Sequence, residues 1–180
     1  MVNEILHSKT TQKILEFLCG HPFESFYGVQ VALETDLSKG GVNQALRALS
    51  KQGLIDAETK GRMTFYKVDL KSPLIKQFKV FHNVAWAQKF IKKITPLSER
   101  AVLFGSCASG ENTAESDVDI VVIAREGEKA KIRLLLPESK DKRKIQVVVK
   151  TPQEFISLEE REPVFYQEIQ RGITLWEKGS

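Results

Sequence analysis

The 180-residue sequence has few of the features that mark metal-binding, secreted or membrane-spanning proteins. Its two cysteines, Cys19 and Cys107, lie far apart, and neither has the spacing of a metal-ligand motif. No apolar run approaches the roughly 20 residues that a membrane-spanning helix needs, and the N-terminus lacks a signal-peptide pattern. The sequence also lacks internal repeats and low-complexity tracts. These absences favour an ordinary globular protein in a reducing, cytoplasmic setting.

Charge is plentiful and unevenly distributed. Charged residues make up 28% of the chain and apolar residues 42%, which is typical of globular proteins. Residues 1–95 contain 14 lysines and arginines against 8 acids, a net charge of +6, whereas residues 96–180 contain 13 against 15, a net charge of −2. The basic excess lies in one half of the chain, which indicates that the two halves have separate tasks.

Two short apolar runs, residues 101–104 and 116–124, form the most informative part of the sequence. Both are rich in aliphatic residues and bounded by turn residues, so we expect buried strands. Asp117 and Asp119 lie at the start of the second run. Because side chains alternate along a strand, the pattern predicts that both carboxylates lie on one face, with Val118 on the other.

The residues around these runs point to a particular chemistry. Two parallel carboxylates repel each other, and a hard divalent cation such as Mg²⁺, which prefers oxygen ligands, would offset that repulsion. Gly105 permits a tight turn, and Ser106 can offer its hydroxyl and neighbouring N–H groups to a phosphate. Exposed acids at a simple hairpin are the alternative. The combination of a Gly-Ser pair, a ten-residue gap and Asp-x-Asp favours the cation and phosphate site.

This combination resembles the signature of the polymerase-beta nucleotidyltransferase superfamily, and most closely its minimal branch. The likeness covers residues 97–178, and residues 165–176 are similar to the helix and short strand that end many of these domains. The resemblance implies that Gly105 and Ser106 hold a nucleoside triphosphate, and that Asp117 and Asp119 are catalytic and bind Mg²⁺ or Mn²⁺. It also implies a third acid on a later strand, which completes a second metal site.

The third strand, predicted at residues 144–152, departs from the family pattern. Gln146 lies where the family has its third acid, and a neutral amide can neither add charge nor accept a proton from an attacking hydroxyl. Two interpretations stay open. In the first, Glu138 or Asp141 replaces the missing acid and nucleotidyl transfer survives. In the second, the domain binds nucleotide and cation without catalysis.

The first half of the chain predicts three helices followed by a hairpin. Helix starts and stops are marked by capping residues and by glycine. A basic turn at residues 59–62 joins the two strands of the hairpin. The predicted helices begin at Thr10 or Thr11 and end near Gly20, then cover residues 28–34 and 38–52, and the predicted strands cover residues 54–58 and 63–68.

This order of elements resembles a winged helix-turn-helix domain of the MarR or ArsR type. The resemblance implies that the third helix enters the major groove of double-stranded DNA while the wing contacts the backbone. Winged helices that dock proteins are the alternative. The predicted DNA-binding side chains are polar, and they lie on the third helix and the wing: Lys39, Asn43, Gln44, Arg47, Lys51, Lys60 and Arg62.

A long helix is predicted between the two halves, at residues 72–96. Its apolar residues recur at spacings of three and four, and Pro73 and Pro96 suit its two ends. The predicted apolar stripe consists of Leu74, Ile75, Phe78, Phe81, Val84, Ala85, Ile91 and Ile94. Such a helix can pack on its own domains or pair with a twin in a homodimer, which a palindromic DNA site would require.

Together these patterns predict an α/β (α+β) protein of two domains. A winged helix occupies residues 1–70, a connecting helix residues 71–96, and a small mixed sheet with helices residues 97–180. The first functional hypothesis is a nucleotidyltransferase-family protein with a DNA-binding winged helix. The second is a transcriptional regulator whose degenerate domain senses a nucleotide. A third is an antitoxin-like module that docks a partner protein.

Overall fold

The structure, a computed structural model, describes residues 8–136 and 144–179. The chain divides into two compact units, residues 1–77 and residues 78–180. Among the described residues, no helix is both long and apolar enough to cross a membrane.

From residue 8 to the end of the wing, the described part of the N-terminal unit forms three helices and a three-stranded antiparallel sheet. Its strands follow the order β1-β3-β2, so that the short strand after the first helix pairs with the second strand of the hairpin. This is the winged helix-turn-helix fold that the sequence predicts. The elements are α1 (Lys9–Gly20), β1 (Phe26–Tyr27), α2 (Gly28–Thr35), α3 (Lys39–Lys51), β2 (Ile55–Lys60) and β3 (Met63–Val68).

Local interactions explain where these elements begin and end. Ser38 caps α3, because its hydroxyl accepts the N–H of Gly41 at 3.3 Å. The predicted cap of α1, Thr10 or Thr11, was wrong: Ser8 is the N-cap and accepts the N–H of Thr11, which is itself inside the helix and buried. The wing is also tighter than predicted, because β2 continues to Lys60, which pairs directly with Met63.

A single helix, α4 (Pro73–Ile94), follows the wing and continues across the division between the units. The predicted apolar stripe is partly wrong, because Leu74 and Phe81 are 55% and 65% exposed. Phe90, which lay off the predicted stripe, is buried. In the second unit the core-facing side of α4 carries Ala87, Phe90, Ile91 and Ile94.

The C-terminal unit is built on a four-stranded mixed sheet in the order β6-β5-β4-β7. β5 and β6 are parallel, and the other pairs are antiparallel. After β5, residues 126–134 form a 3₁₀ turn followed by a short helix. The elements after α4 are a 3₁₀ turn (Thr95–Leu97), β4 (Arg100–Phe104), α5 (Gly105–Ser109), β5 (Val118–Ile123), a 3₁₀ turn (Glu126–Glu128), α6 (Lys129–Leu134), β6 (Ile145–Lys150), α7 (Pro152–Arg161), α8 (Pro163–Gln170) and β7 (Ile173–Glu177).

Both faces of this sheet are covered, which explains why β4 and β5 are almost continuously apolar. Ile120 and Val122 of β5 belong to the same core cluster as α4. Val121 and Ile123 belong to a second cluster, together with residues of α7 and α8. By alternation, Asp119 lies on the face of this second cluster, at the end of the strand.

Candidate functional site

The pairing of β4 with β5 brings the Gly-Ser pair next to the acids. Phe104, the last residue of β4, is the register partner of Asp119. Gly105 follows with φ of +67°, a conformation that favours glycine, and α5 starts there. A Cβ atom on Gly105 would lie 3.2 Å from Oδ2 of Asp119. The carboxylate of Asp119 therefore lies directly beside Gly105, in a position where any larger residue would crowd it.

Ser106 is half-buried and anchors the turn that follows it. Its carbonyl oxygen accepts the N–H groups of Glu111 at 2.9 Å and Asn112 at 3.2 Å, and the hydroxyl of Ser109 at 3.2 Å. The chain therefore turns back toward Ser106 after α5. Residues 105–112, which comprise α5 and this turn, form a compact segment at the end of β4 that is called the loop below.

The two acids lie together, but only one of them is in the strand. β5 begins at Val118, which is fully buried, so Asp117 immediately precedes it. Gln146 is the register partner of Asp119 on β6, and its Nε2 donates to Oδ2 of Asp117 at 2.5 Å. The amide that stands at the third-acid position is therefore in direct contact with the acid pair.

Three carboxylates place negative charge at this edge of the sheet. The pKa of Asp119 is raised above its ordinary value, first because burial penalises the charged carboxylate, and then because Asp117 and Glu168 place negative charge nearby. Glu168 lies on α8, where the ring of Phe165, one turn earlier, contacts Phe104 at 5.5 Å between ring centroids. Sequence patterns did not indicate Glu168, because it lies on a helix that is far from the acid pair in the chain.

The donor set suits one cation better than two. Two half-buried carboxylates in a negative field are oxygen ligands of the kind that Mg²⁺ prefers. Within residues 8–136 and 144–179, however, no group of three or more His, Cys, Asp or Glu side chains is arranged to hold a metal ion. Glu138 and Asp141, the predicted substitutes for the missing acid, lie outside the described residues.

Two buried side chains of α4, which the sequence patterns did not indicate, hold the loop by hydrogen bonds. Lys79 and Asn83, on α4, are 4% and 2% exposed. Both donate hydrogen bonds to the loop after Ser106. Their signal in the sequence was a pair of polar residues, four apart, on the same side of the helix as Ile75 and Ala87.

The predicted DNA-binding side chains of α3 are all exposed, yet they do not form a uniform outward row. Asn43 leans toward the start of α2, since a Cβ atom on Gly28 would lie 2.2 Å from its Oδ1. Gln44 lines a cavity of about 320 Å³ beside α1, together with Ser8 and Thr11. The cations of α3, namely Lys39, Arg47 and Lys51, remain the exposed positive groups of this helix.

The two predicted DNA-binding cations of the wing, Lys60 and Arg62, differ in their contacts. Lys60 pairs with Glu58 of the same strand at 3.0 Å, and its ammonium lies 6.0 Å from the ring centroid of Phe65. Arg62 is exposed in the turn beside Gly61, whose φ is +63°. The ion pair of Lys60 is itself exposed, so it leaves the ammonium accessible to a phosphate.

Comparison with protein families gives a match to the second half of the chain. The family described as "Polymerase beta, Nucleotidyltransferase" matches residues 87–180, just over half of the sequence. The match includes the Gly-Ser loop, both acids and Gln146. No curated protein sequence matches the chain.

Comparison with solved structures gives only distant likenesses. A Sulfolobus solfataricus protein assigned as a nucleotidyltransferase is 12% identical, with a TM-score of 0.41 over 61% of this chain and 94% of its own. Lactococcus lactis ZitR in complex with DNA is 20% identical, with a TM-score of 0.37 over 49% of this chain and 62% of its own. Human N-acetylserotonin methyltransferase is 17% identical, with a TM-score of 0.35 over 51% of this chain and only 33% of its own. Our chain thus spans a third of the methyltransferase and less than two thirds of ZitR, and such low scores support no functional argument.

Proposed function

The chain belongs to the polymerase beta nucleotidyltransferase family, and we propose that its C-terminal unit binds a nucleoside triphosphate together with Mg²⁺ or Mn²⁺. Gly105 and Ser106 would lie against the phosphates, and Asp117 and Asp119 would hold the cation. When bound, the cation would neutralise charge on the phosphates and on the acid pair. The N-terminal winged helix would bind double-stranded DNA.

One observation carries the nucleotide proposal: the backbone of Gly105 and the carboxylate of Asp119 face each other across β4 and β5. A phosphate against the loop would therefore lie close to a cation on the acids. The raised pKa of Asp119, caused first by burial and then by the charges of Asp117 and Glu168, is consistent with this role, because a bound cation would stabilise the charged carboxylate against both.

A second candidate function is a DNA-binding regulator that senses the nucleotide without transferring it. It is favoured by Gln146, whose amide donates to Asp117 where the family has an acid. A donor at this position offers no proton acceptor to an attacking hydroxyl and no charge for a second cation. We therefore expect binding of one cation and slow or absent transfer.

The two candidates are separated by a labelling experiment. The chain is incubated with α-labelled nucleoside triphosphates, Mg²⁺ or Mn²⁺, and protein or nucleic-acid acceptors. An enzyme transfers label in the wild type and loses transfer in Asp119→Ala. A sensor binds nucleotide in a calorimetric titration without transferring label, and Gln146→Asp then gains or increases transfer. Absence of cation-dependent nucleotide binding in the wild type contradicts both candidates.

DNA binding is proposed from the fold and the charge of the N-terminal unit. Helix α3 would lie in the major groove with Arg47, Lys39 and Lys51, while Lys60 and Arg62 of the wing would contact phosphates. Asn43 and Gln44 would have to turn from their present contacts to reach base edges. Duplex binding whose salt dependence is the same in wild type, Arg47→Ala and Lys60→Ala would contradict this interface.

We also propose a homodimer through α4. The helix exposes Leu74 and Phe81, which are seven residues apart and so lie on one side of it. Pairing of two such helices would suit a palindromic DNA site. Light scattering tests this directly: Phe81→Glu should shift a dimer to a monomer, and a wild-type monomer at micromolar concentration would exclude it. A cytoplasmic setting, expected from the cysteine content, stays a prediction.

A further inference from the structure

Packing alone does not explain why Lys79 and Asn83 are buried. Each places a polar group in the interior of the C-terminal unit, where an apolar side chain would avoid the cost of desolvation. The two residues are one helical turn apart on α4 and point to the same place, the loop between Ser106 and Asn112.

Their donors are directed at the loop. Nδ2 of Asn83 donates to the carbonyl oxygen of Cys107 at 2.7 Å and to Oδ1 of Asn112 at 2.9 Å. Nζ of Lys79 donates to the backbone carbonyl oxygen of Asn112 at 2.5 Å. Asn112 is itself buried, and its N–H bonds the carbonyl oxygen of Ser106. The loop is therefore held at both ends from one helix.

The same contacts extend to the acid pair. Cys107, whose carbonyl accepts from Asn83, is fully buried, and its Sγ lies 3.2 Å from the backbone oxygen of Asp117. One residue thus connects the support on α4 with the chain that carries the first acid. Removing the amide of Asn83 should therefore alter the position of both the loop and the backbone of Asp117.

We propose that Asn83 and Lys79 are positioning residues of the nucleotide site. They hold residues 106–112, and through Cys107 the backbone of Asp117, in the binding geometry before a ligand arrives. The inference rests on the proposed nucleotide binding. Its physical basis is that a preorganised loop loses less conformational entropy on binding, and that removing a buried donor leaves its carbonyl acceptors unsatisfied.

Two substitutions test the donors while keeping the side-chain shapes. Asn83→Asp retains the size of the residue but has no N–H to donate, and Lys79→Met retains the aliphatic stem without the ammonium. Ser98→Ala is the matched control, because Ser98 is also buried in this unit and donates to the carbonyl oxygen of Ile94 at 2.8 Å, away from the loop. The probe is ATP with Mg²⁺, measured by calorimetry, and amide hydrogen exchange of residues 105–117 is followed in the ligand-free protein.

We expect Asn83→Asp and Lys79→Met to weaken ATP binding by about tenfold each and to accelerate exchange in the loop. Ser98→Ala should lower the unfolding temperature but change neither affinity nor loop exchange. Wild-type affinity and loop protection in Asn83→Asp would overturn the inference, and so would an equal loss of affinity in Ser98→Ala. If the wild type binds no ATP, the proposed function fails, and the exchange of the loop alone then decides whether α4 holds it.

Discussion

The two units of this chain present their candidate functional groups in opposite ways. On α3 and the wing, cations such as Arg47 and Arg62 are exposed. At the end of β4 and β5, a glycine, a serine and two acids converge, and the pKa of Asp119 is raised by the burial and charge that this convergence produces. One region is a surface with separable contacts, and the other is a site whose members depend on one another.

This difference predicts how each region responds to change. Contacts between separate cations and phosphates add up, so each removal costs a little and lowers the salt dependence of binding. Groups that share one cation or one loop are coupled, so the loss of a single member removes most of the binding. Substitutions in the two regions should therefore differ in size, with the largest effect at the acid pair.

Removing one carboxylate should weaken nucleotide binding more than any other single substitution. We expect Asp119→Asn to weaken Mg²⁺-dependent ATP binding on the order of 100-fold, because the cation loses a charged oxygen ligand. The matched control is Asp56→Asn, which removes an exposed carboxylate from the wing strand β2. Calorimetric titration measures both variants. Equal affinities in Asp119→Asn and Asp56→Asn would show that the acid pair is not the cation site.

Filling the close approach at Gly105 should have a smaller but distinct effect. Gly105→Ala places a Cβ atom 3.2 Å from Oδ2 of Asp119 and forces a left-handed backbone on alanine. Gly61→Ala is an ideal control, because Gly61 has nearly the same φ of +63° but open space around its Cβ position. Both should lose about 1 kcal/mol of stability in urea unfolding.

Only Gly105→Ala should also weaken ATP binding, by about tenfold, because it displaces Asp119 or the loop. Identical affinity in the two glycine variants would mean that loop and carboxylate need not approach each other closely.

On the proposed DNA-binding face, single substitutions should have modest effects. Arg47→Ala should weaken duplex binding several-fold on every sequence and reduce the slope of log K against log salt by about one, if it contacts a phosphate. Fluorescence anisotropy over a salt series measures the slope. Arg133→Ala, which removes an exposed arginine from α6, should leave the slope unchanged. A strong loss on one sequence alone would instead assign Arg47 to a base.

The smallest effect concerns stability without ligand. Because the pKa of Asp119 is higher in the folded chain than in the unfolded chain, folding is favoured while Asp119 is protonated, and this contribution is lost as pH rises through the raised pKa. Asp119→Asn should therefore unfold at a higher temperature than the wild type at pH 7. The difference should shrink as pH falls below the ordinary carboxylate range. A destabilised variant at pH 7 would show that burying the charged Asp119 carboxylate near Asp117 and Glu168 carries no cost.

The sequence predicted elements best where local signals fix them. Ser38, the glycine after α3 and the wing turn define the winged helix within a residue or two, because caps and turns act on their immediate neighbours. The outer face of α4 was predicted less well, since apolar spacing cannot tell which of two sides the core will cover. The exposure of Phe81 is the result.

The candidate site shows the same limit. Asp117, Asp119 and Gly105 were accessible to motif reasoning because they are close in the chain and follow strand periodicity. Asn83 and Glu168 were not, because they reach the site from helices that lie 22 residues before Gly105 and 63 residues after it. The sequence predicted the position of Gln146 but not its contact with Asp117, because the direction of the amide depends on the packed register of β5 and β6.

The most direct test is to count cations at the acid pair. Electron paramagnetic resonance of Mn²⁺, titrated in the presence of ATP, should show one bound ion per wild-type chain, two in Gln146→Asp and none that depends on ATP in Asp119→Asn. If Mn²⁺ and ATP bind the wild type no better than they bind Asp119→Asn, the loop and the two aspartates do not form a nucleotide site.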